Sequence, residues 1–205
     1  ITFVVPPRHR WAVLLLASYA FYGAHEPAYL LLIGASTGVD YVVGLRLAEA
    51  RGTRRRLLLA SSLACNLGLL VAFKYLGFFS RNLQRLFGGA GLSMSLPAFD
   101  WVLPVGISFY TFQTLSYTID VYRGIRPPER HLGLFALYVS FFPQLVAGPI
   151  ERSTTLLPQL RGGFRLDAQR LQSGLALVLW GLFKKVVVAD RAAIIVDAVY
   201  GEPGR

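Results

Sequence analysis

Leu103-Pro-Val-Gly-Ile-Ser-Phe-Tyr-Thr-Phe-Gln113 is the stretch on which the fold turns, with its continuation through Tyr117 to Asp120-Val-Tyr-Arg-Gly124. It is apolar enough for a bilayer, yet Gln113 and Asp120 stand about two helical turns apart within it. On a helix, Gly106, Phe109, Tyr110, Gln113, Ser116, Tyr117 and Asp120 share one face. A polar stripe in lipid is costly unless protein or water shields it. Two arrangements supply that shield: a polar, aromatic wall lining a cavity, or an interhelical seam glued by small and polar residues. Ser108, Thr111 and Thr118 on the other side blur the amphipathicity, so the pattern leaves both open.

The rest of the chain puts this stretch in a membrane. It is 54% apolar and 16% charged, where soluble domains carry about 25% charged residues. The charges cluster, and residues 57–73 contain none. Apolar runs of about 20 residues match the hydrocarbon core of a bilayer. The formal charge of +10 invites a nucleic-acid reading. Nucleic-acid binders, however, carry basic patches on a solvated fold, whereas here Arg51 and Arg54–Arg56 lie between apolar runs. That is the positive-inside pattern, and nucleic acid is set aside as a partner. Cys65 is alone, so no intrachain disulfide forms.

The fold expected is an all-α, polytopic transmembrane helical bundle of about six apolar units, at least one re-entrant or broken. The units are residues 11–22, 28–47, 57–79, 102–121, 132–150 and 168–200. Pro27 suits the first turn of the second, residues 81–100 read as a connection, and Trp101 is placed like an interfacial anchor. Asp167 is the expected N-cap of the last unit, which runs about 50 Å at 1.5 Å per residue and so tilts, breaks or leaves the membrane. Asp40 and Lys74 read as interfacial.

The fifth unit carries Phe142-Pro143-Gln144 and Gly148-Pro149, which interrupt helical hydrogen bonding. Irregular backbone at membrane depth is tolerated only where protein or a water-filled cavity covers it. If every unit crosses, Arg152, Arg161, Arg165 and Arg170 fall on the side of Arg81 and Arg85. If residues 132–150 re-enter, these four join the larger group from Arg8 to Arg56 and Arg123 to Arg130. Re-entry fits the positive-inside rule better. The broken segment either offers the Gln144 amide to a ligand or is a loop dipping into the interface.

Lys184-Lys185 either attracts an anionic group or snorkels to the headgroups. Asp190 is five residues from Lys185, off register for an i,i+4 pair. The three histidines, His9, His25 and His131, lie in flanks or loops rather than within an apolar unit, and no HExxH, Cys/His ligand set or phosphate-binding glycine loop occurs. No catalytic centre and no metal site can be drawn from these residues alone.

Several segments together resemble the membrane-bound O-acyltransferase family, in its bacterial alginate O-acetylation branch. They are Ala17-Ser-Tyr-Ala-Phe-Tyr-Gly23, Asp40-Tyr-Val-Val-Gly44, Phe73-Lys-Tyr75, Leu103–Gln113 with Asp120-Val-Tyr-Arg-Gly124, Phe141–Ile150 and Gly181-Leu-Phe-Lys-Lys185. They occur in the family's order across nearly the whole chain. The resemblance implies a multi-pass enzyme of the bacterial inner membrane with a tunnel through it. An acyl group passes from a donor on one side to a hydroxyl on an exported polysaccharide or envelope polymer on the other. The donor is a cosubstrate, an acyl thioester or an acyl-carrier partner; periplasmic acetylation proteins are further partners, and no bound cofactor is implied. The family's histidines lie downstream of the Lys-Lys motif, one of them in an Arg-Arg-Trp-His-type segment. The chain reaches Arg205 before either, so residues 1–205 are expected to be a partial membrane domain, inactive alone, with no catalytic residue of its own. Gln113, Asp120, Tyr122, Arg123, Gln144, Lys184 and Lys185 are the candidates for tunnel or scaffold roles. A transporter or channel, whose broken helices and intramembrane charges look alike, is the alternative.

Overall fold

In the computed structural model, residues 5–24, 27–89, 104, 106–145, 148–162 and 167–201 are described. The expectations for Trp101, His25 and Arg165, and for Leu103 and Val105 at the start of the opening stretch, lie outside these residues. The described residues are helical and contain no strand. A 3-10 turn at Pro7–His9 leads into α1 (Arg10–Gly23) and α2 (Ala28–Glu49). Then come α3 (Gly52–Gly89), α4 (Ile107–Tyr122), α5 (Leu132–Ser140), the single turn α6 (Phe142–Leu145) and α7 (Ser153–Arg161). Residues 1–163 are one unit; Phe164–Arg205 is a second, holding α8 (Ala168–Phe183), a π-helical segment Lys184–Ala189 and α9 (Asp190–Tyr200).

Three helical runs among the described residues are long and apolar enough to cross a membrane: Ala28–Glu49, Gly52–Gly89 and Ala168–Tyr200. Leu16, Leu31, Phe78 and Leu86 point large apolar side chains outward, as a lipid-facing surface allows. The chain is a multi-pass membrane protein. α3 runs 38 residues and takes in 81–89, which the sequence suggested as connection. Residues 81–87 hold no Gly or Pro, and Asn82 turns its amide back onto the Phe78 carbonyl at 2.9 Å.

α4 is the axis of the first unit. It packs against α2 and α3 on one side and α5 and α7 on the other, so Tyr110, Gln113 and Tyr117 are buried, and so are Thr111, Thr114 and Thr118. That explains the blurred amphipathicity: both sides of this helix face protein. Tyr117 packs on Phe135 of α5 with ring centroids 4.6 Å apart, and Phe135 in turn meets Tyr138 and Tyr41. Gly106, which starts α4, has φ +75, and a Cβ there would stand 2.6 Å from the Leu145 carbonyl oxygen. Only glycine accepts both the left-handed backbone and that approach.

One end of the unit gathers the helix termini. Arg55 in the first turns of α3 donates to the Tyr122 carbonyl at 2.6 Å, capping the α4 C-terminus where orphan carbonyls and the negative dipole end welcome a cation. Tyr41 on α2 donates to the Arg130 carbonyl, and Trp11 of α1 meets His131 edge-on at 4.7 Å. The chain leaves this end through α5 and comes back to it. Arg126 donates to the Ser153 carbonyl at 2.6 Å, and Arg161 pairs with Glu129 at 2.6 Å. Residues 132–150 are therefore a broken segment that folds back. At its turning point Leu145 lies beside Gly106, the length of α4 away, about 24 Å at 1.5 Å per residue. Arg126, Arg130, Arg152 and Arg161 thus stand at the same end as Arg55.

The break has an identifiable cause. Pro143 has no N–H to give the Val139 carbonyl, and the chain at Phe141 leaves the helical region at ψ 105. The Phe142 N–H, the natural donor to the Tyr138 carbonyl one turn back, goes instead to Ser18 Oγ of α1 at 3.3 Å. The abandoned Tyr138 carbonyl takes Gln113 Nε2 from α4 at 2.7 Å.

In the second unit, Asp167 caps α8 by accepting from the Gln169 N–H at 3.1 Å. The lysine pair sits where α-helix gives way to π-helix. The Asp190 N–H reaches the Lys185 carbonyl, five residues back. The wider turn brings i and i+5 onto one face, and Lys185 Nζ meets Asp190 Oδ2 at 2.8 Å. The sequence spacing argued against this pairing because it assumed an α-helical period. Lys184 lies 5.2 Å over the Trp180 ring.

Candidate functional site

Two buried polar networks run through the first unit. The first joins α2, α3 and α4 around Asp40, which is fully buried. Ser62 Oγ donates to Asp40 Oδ1 at 2.6 Å, and Asn66 Nδ2 reaches both carboxylate oxygens at 3.0 and 2.9 Å. Asn66 Oδ1 accepts in turn from Ser36 at 3.1 Å and Thr114 at 3.3 Å. This corrects the interfacial placement of Asp40: α2 extends to Glu49, so Asp40 stands inside the helix and its partners come from neighbouring helices. The signal was present as small polar residues one turn apart on each helix: Ser36 and Asp40, Ser62 and Asn66, Thr114 and Thr118. Such stripes hold membrane helices together.

The second network is on the other side of α4, where the broken segment meets it. Gln113 Nε2, committed to the Tyr138 carbonyl, also lies 3.4 Å from Gln144 Oε1. The Tyr138 hydroxyl reaches the carbonyls of Gln113 and Glu151, each at 3.3 Å. The two glutamines proposed from sequence are thus brought together. Gln144 Nε2 and the Tyr110 hydroxyl are sealed from solvent with no hydrogen-bond partner among the described residues. Tyr110 was noticed only as a member of the α4 face. No sequence signal marks its hydroxyl as unpartnered.

The other candidates are placed as follows. Asp120 is 8% exposed, two turns from Gln113 towards the arginine-rich end, and its carboxylate makes no hydrogen bond or ion pair among the described residues. Tyr122 lies under Arg55, 5.4 Å from ring centroid to guanidinium carbon. Arg123 is exposed at the α4 C-cap. Lys184 and Lys185 belong to the second unit. His131 Nδ1 accepts from the Leu134 N–H at 3.1 Å as the N-cap of α5, and His9 is exposed in the 3-10 turn.

At the arginine-rich end, Arg126, Pro127-Pro128, Glu129, Pro158 and Arg161 line a cleft of about 220 Å³. Glu129 is held by Arg161 at 2.6 and 2.7 Å, and its N–H donates to the Tyr117 hydroxyl at 2.9 Å. The pair latches α7 to the loop before α5. Thirty-two residues separate the partners, so no local pattern announces them.

Comparison with known proteins gives this architecture relatives. The chain is 36% identical over 194 residues to the probable alginate O-acetylase AlgI of Pseudomonas aeruginosa, covering 93% of this chain and 36% of that protein. The similarly named protein of Azotobacter vinelandii is 36% identical over 197 residues, 95% of this chain and 39% of its own length. The peptidoglycan O-acetyltransferase of Helicobacter pylori is 33% identical over 211 residues, 90% of this chain and 39% of its own length. No family model matches the chain, and no solved structure does. The chain spans little more than a third of the length of these relatives. Matched in sequence along nine-tenths or more of its length by alginate and peptidoglycan O-acetylases, the chain belongs to the membrane-bound O-acyltransferase family.

Proposed function

We propose that this chain forms part of a bacterial inner-membrane O-acetyltransferase that modifies an exported polysaccharide or envelope polymer, and that its first unit walls the path of the acyl group. The observation that carries this reading is the joining of Gln113 and Gln144 in the interior of a chain related to two kinds of polymer O-acetylase. The donor is an acyl thioester or an acyl group on a carrier protein. The acceptor hydroxyl oxygen attacks the acyl carbonyl carbon, the carbon–sulfur bond breaks, and a general base passes the hydroxyl proton to the leaving thiolate. The base is expected from a family histidine C-terminal to Lys185, since His131 is spent on capping α5. Asp120, Tyr122, Arg123, Lys184 and Lys185 serve as scaffold or path residues.

Deleting the gene should strip alkali-labile acetate from the envelope polymer, and a plasmid copy should restore it. Unchanged polymer acetate in the deletion strain would sink the assignment. The positive-inside rule supports a cytoplasmic position for the arginine-rich end. With Cys65 replaced by serine, cysteines introduced at the exposed positions Arg130 and Arg152 should both label from the cytoplasmic face. Labelling of the two from opposite faces would show that residues 132–150 cross.

A further inference from the structure

The Tyr110 hydroxyl on α4 and the Gln144 amide nitrogen on α6, both buried without a partner among the described residues, belong to one helix contact. Tyr110 is 1% exposed and Gln144 6%. On α4, Gly106, Tyr110 and Gln113 form a single stripe, spaced one turn apart. That stripe faces α6 at both ends: Gly106 against the Leu145 carbonyl, and Gln113 Nε2 at 3.4 Å from Gln144 Oε1. Tyr110 stands between those two contacts.

Buried donors are almost always satisfied, and leaving one unmade costs more than a hydrogen bond gains. Three neighbouring acceptors are already engaged. Tyr138 O takes Gln113, Gln144 Oε1 faces Gln113, and Ser18 Oγ takes the Phe142 N–H. Both groups can donate, so one acceptor with two lone pairs can serve both. A water would also have to place its own two hydrogens, since buried waters make about three hydrogen bonds. A carbonyl oxygen has no hydrogens to place.

Resting on the transferase reading above, we propose that Tyr110 and Gln144 together bind the carbonyl oxygen of the acyl group, as thioester or ester, where it passes α6. Gln113 is the positioning residue: through the Tyr138 carbonyl and Gln144 Oε1 it aims the Gln144 N–H. Neither donor has to surrender an existing bond to receive the ligand. Hydrogen bonds of this kind strengthen as negative charge gathers on a carbonyl oxygen.

The test uses the complete protein in membrane vesicles and acetyl-coenzyme A labelled with ¹³C at the carbonyl. Tyr110→Phe deletes a hydroxyl that bonds to none of the described residues, so its unfolding midpoint should hold or rise. Its KM for the thioester should nevertheless rise about tenfold, the worth of one ligand hydrogen bond. The infrared carbonyl band of the bound acetyl group should lie below its free position in the wild type and return towards it in Tyr110→Phe. Gln144→Glu, which keeps the shape but replaces the donor by an acceptor, should show the same two changes. A folded Tyr110→Phe protein with wild-type KM and an unmoved carbonyl band overturns the donor pair while leaving the transferase standing. A wild-type protein that neither binds the thioester nor transfers acetyl overturns both.

Discussion

Asp40→Ala is expected to destabilise the protein by about 3–5 kcal/mol, because it breaks a buried network rather than a single bond. Asp40 accepts three hydrogen bonds from Ser62 and Asn66, and neither donor has water to turn to. Asn66 is also the relay to Ser36 and Thr114, so the loss spreads over all three helices. Asp40→Asn should cost less, about 1–2 kcal/mol, since its carbonyl can still accept from Ser62 while its NH2 opposes the Asn66 NH2. Chemical unfolding in detergent micelles measures both. The Asp40→Ala, Asn66→Ala double mutant should fall well short of the sum of the singles, as expected for residues acting as one unit. Full additivity would show that the two residues stabilise the helices independently.

Cutting the latch should show a marked asymmetry. Glu129 is 2% exposed and Arg161 63%, so the two truncations leave different orphans behind. Arg161→Ala strands a buried carboxylate and should cost about 3 kcal/mol, in the range for breaking a buried ion pair. Glu129→Gln leaves an arginine that water can solvate, and should cost about 1 kcal/mol. The difference can be read from the rate of trypsin cleavage at the exposed Arg152, since a freed α7 bares the chain before it. Cleavage rising more in Glu129→Gln than in Arg161→Ala would contradict the latch.

Much of this was legible in the sequence where the physics is local. Apolar runs gave the spanning helices, Asp167 announced its cap, and Pro143 with the distribution of arginines pointed to a segment that turns back. Features that depend on a neighbouring helix were not legible. The Ser36 and Asp40 stripe marks a polar face on residues 28–47, but nothing there says that its partners are Ser62 and Asn66. Glu129 and Arg161 meet only because the segment between them folds back. The Lys185–Asp190 contact was hidden for a different reason: it needs a π-helical turn, and the spacing was judged by an α-helical one. In the candidate site, Gln113 and Gln144 stand out in the sequence as polar residues in apolar runs, whereas their pairing and the unpartnered Tyr110 hydroxyl appear only in three dimensions.

The break after Ser140 has a consequence for assembly. The Phe142 N–H and the Tyr138 carbonyl, which an unbroken helix would join to each other, are handed to α1 and α4. In lipid, neither group could remain exposed without a cost of several kcal/mol. The α5–α6 segment therefore cannot rest in the bilayer alone; it is stable only between helices already in place. Both hosts, Ser18 and Gln113, precede it in the chain and emerge from the ribosome first. Order of synthesis and order of insertion coincide, and a circular permutant that makes residues 132–150 before α1 should stall there.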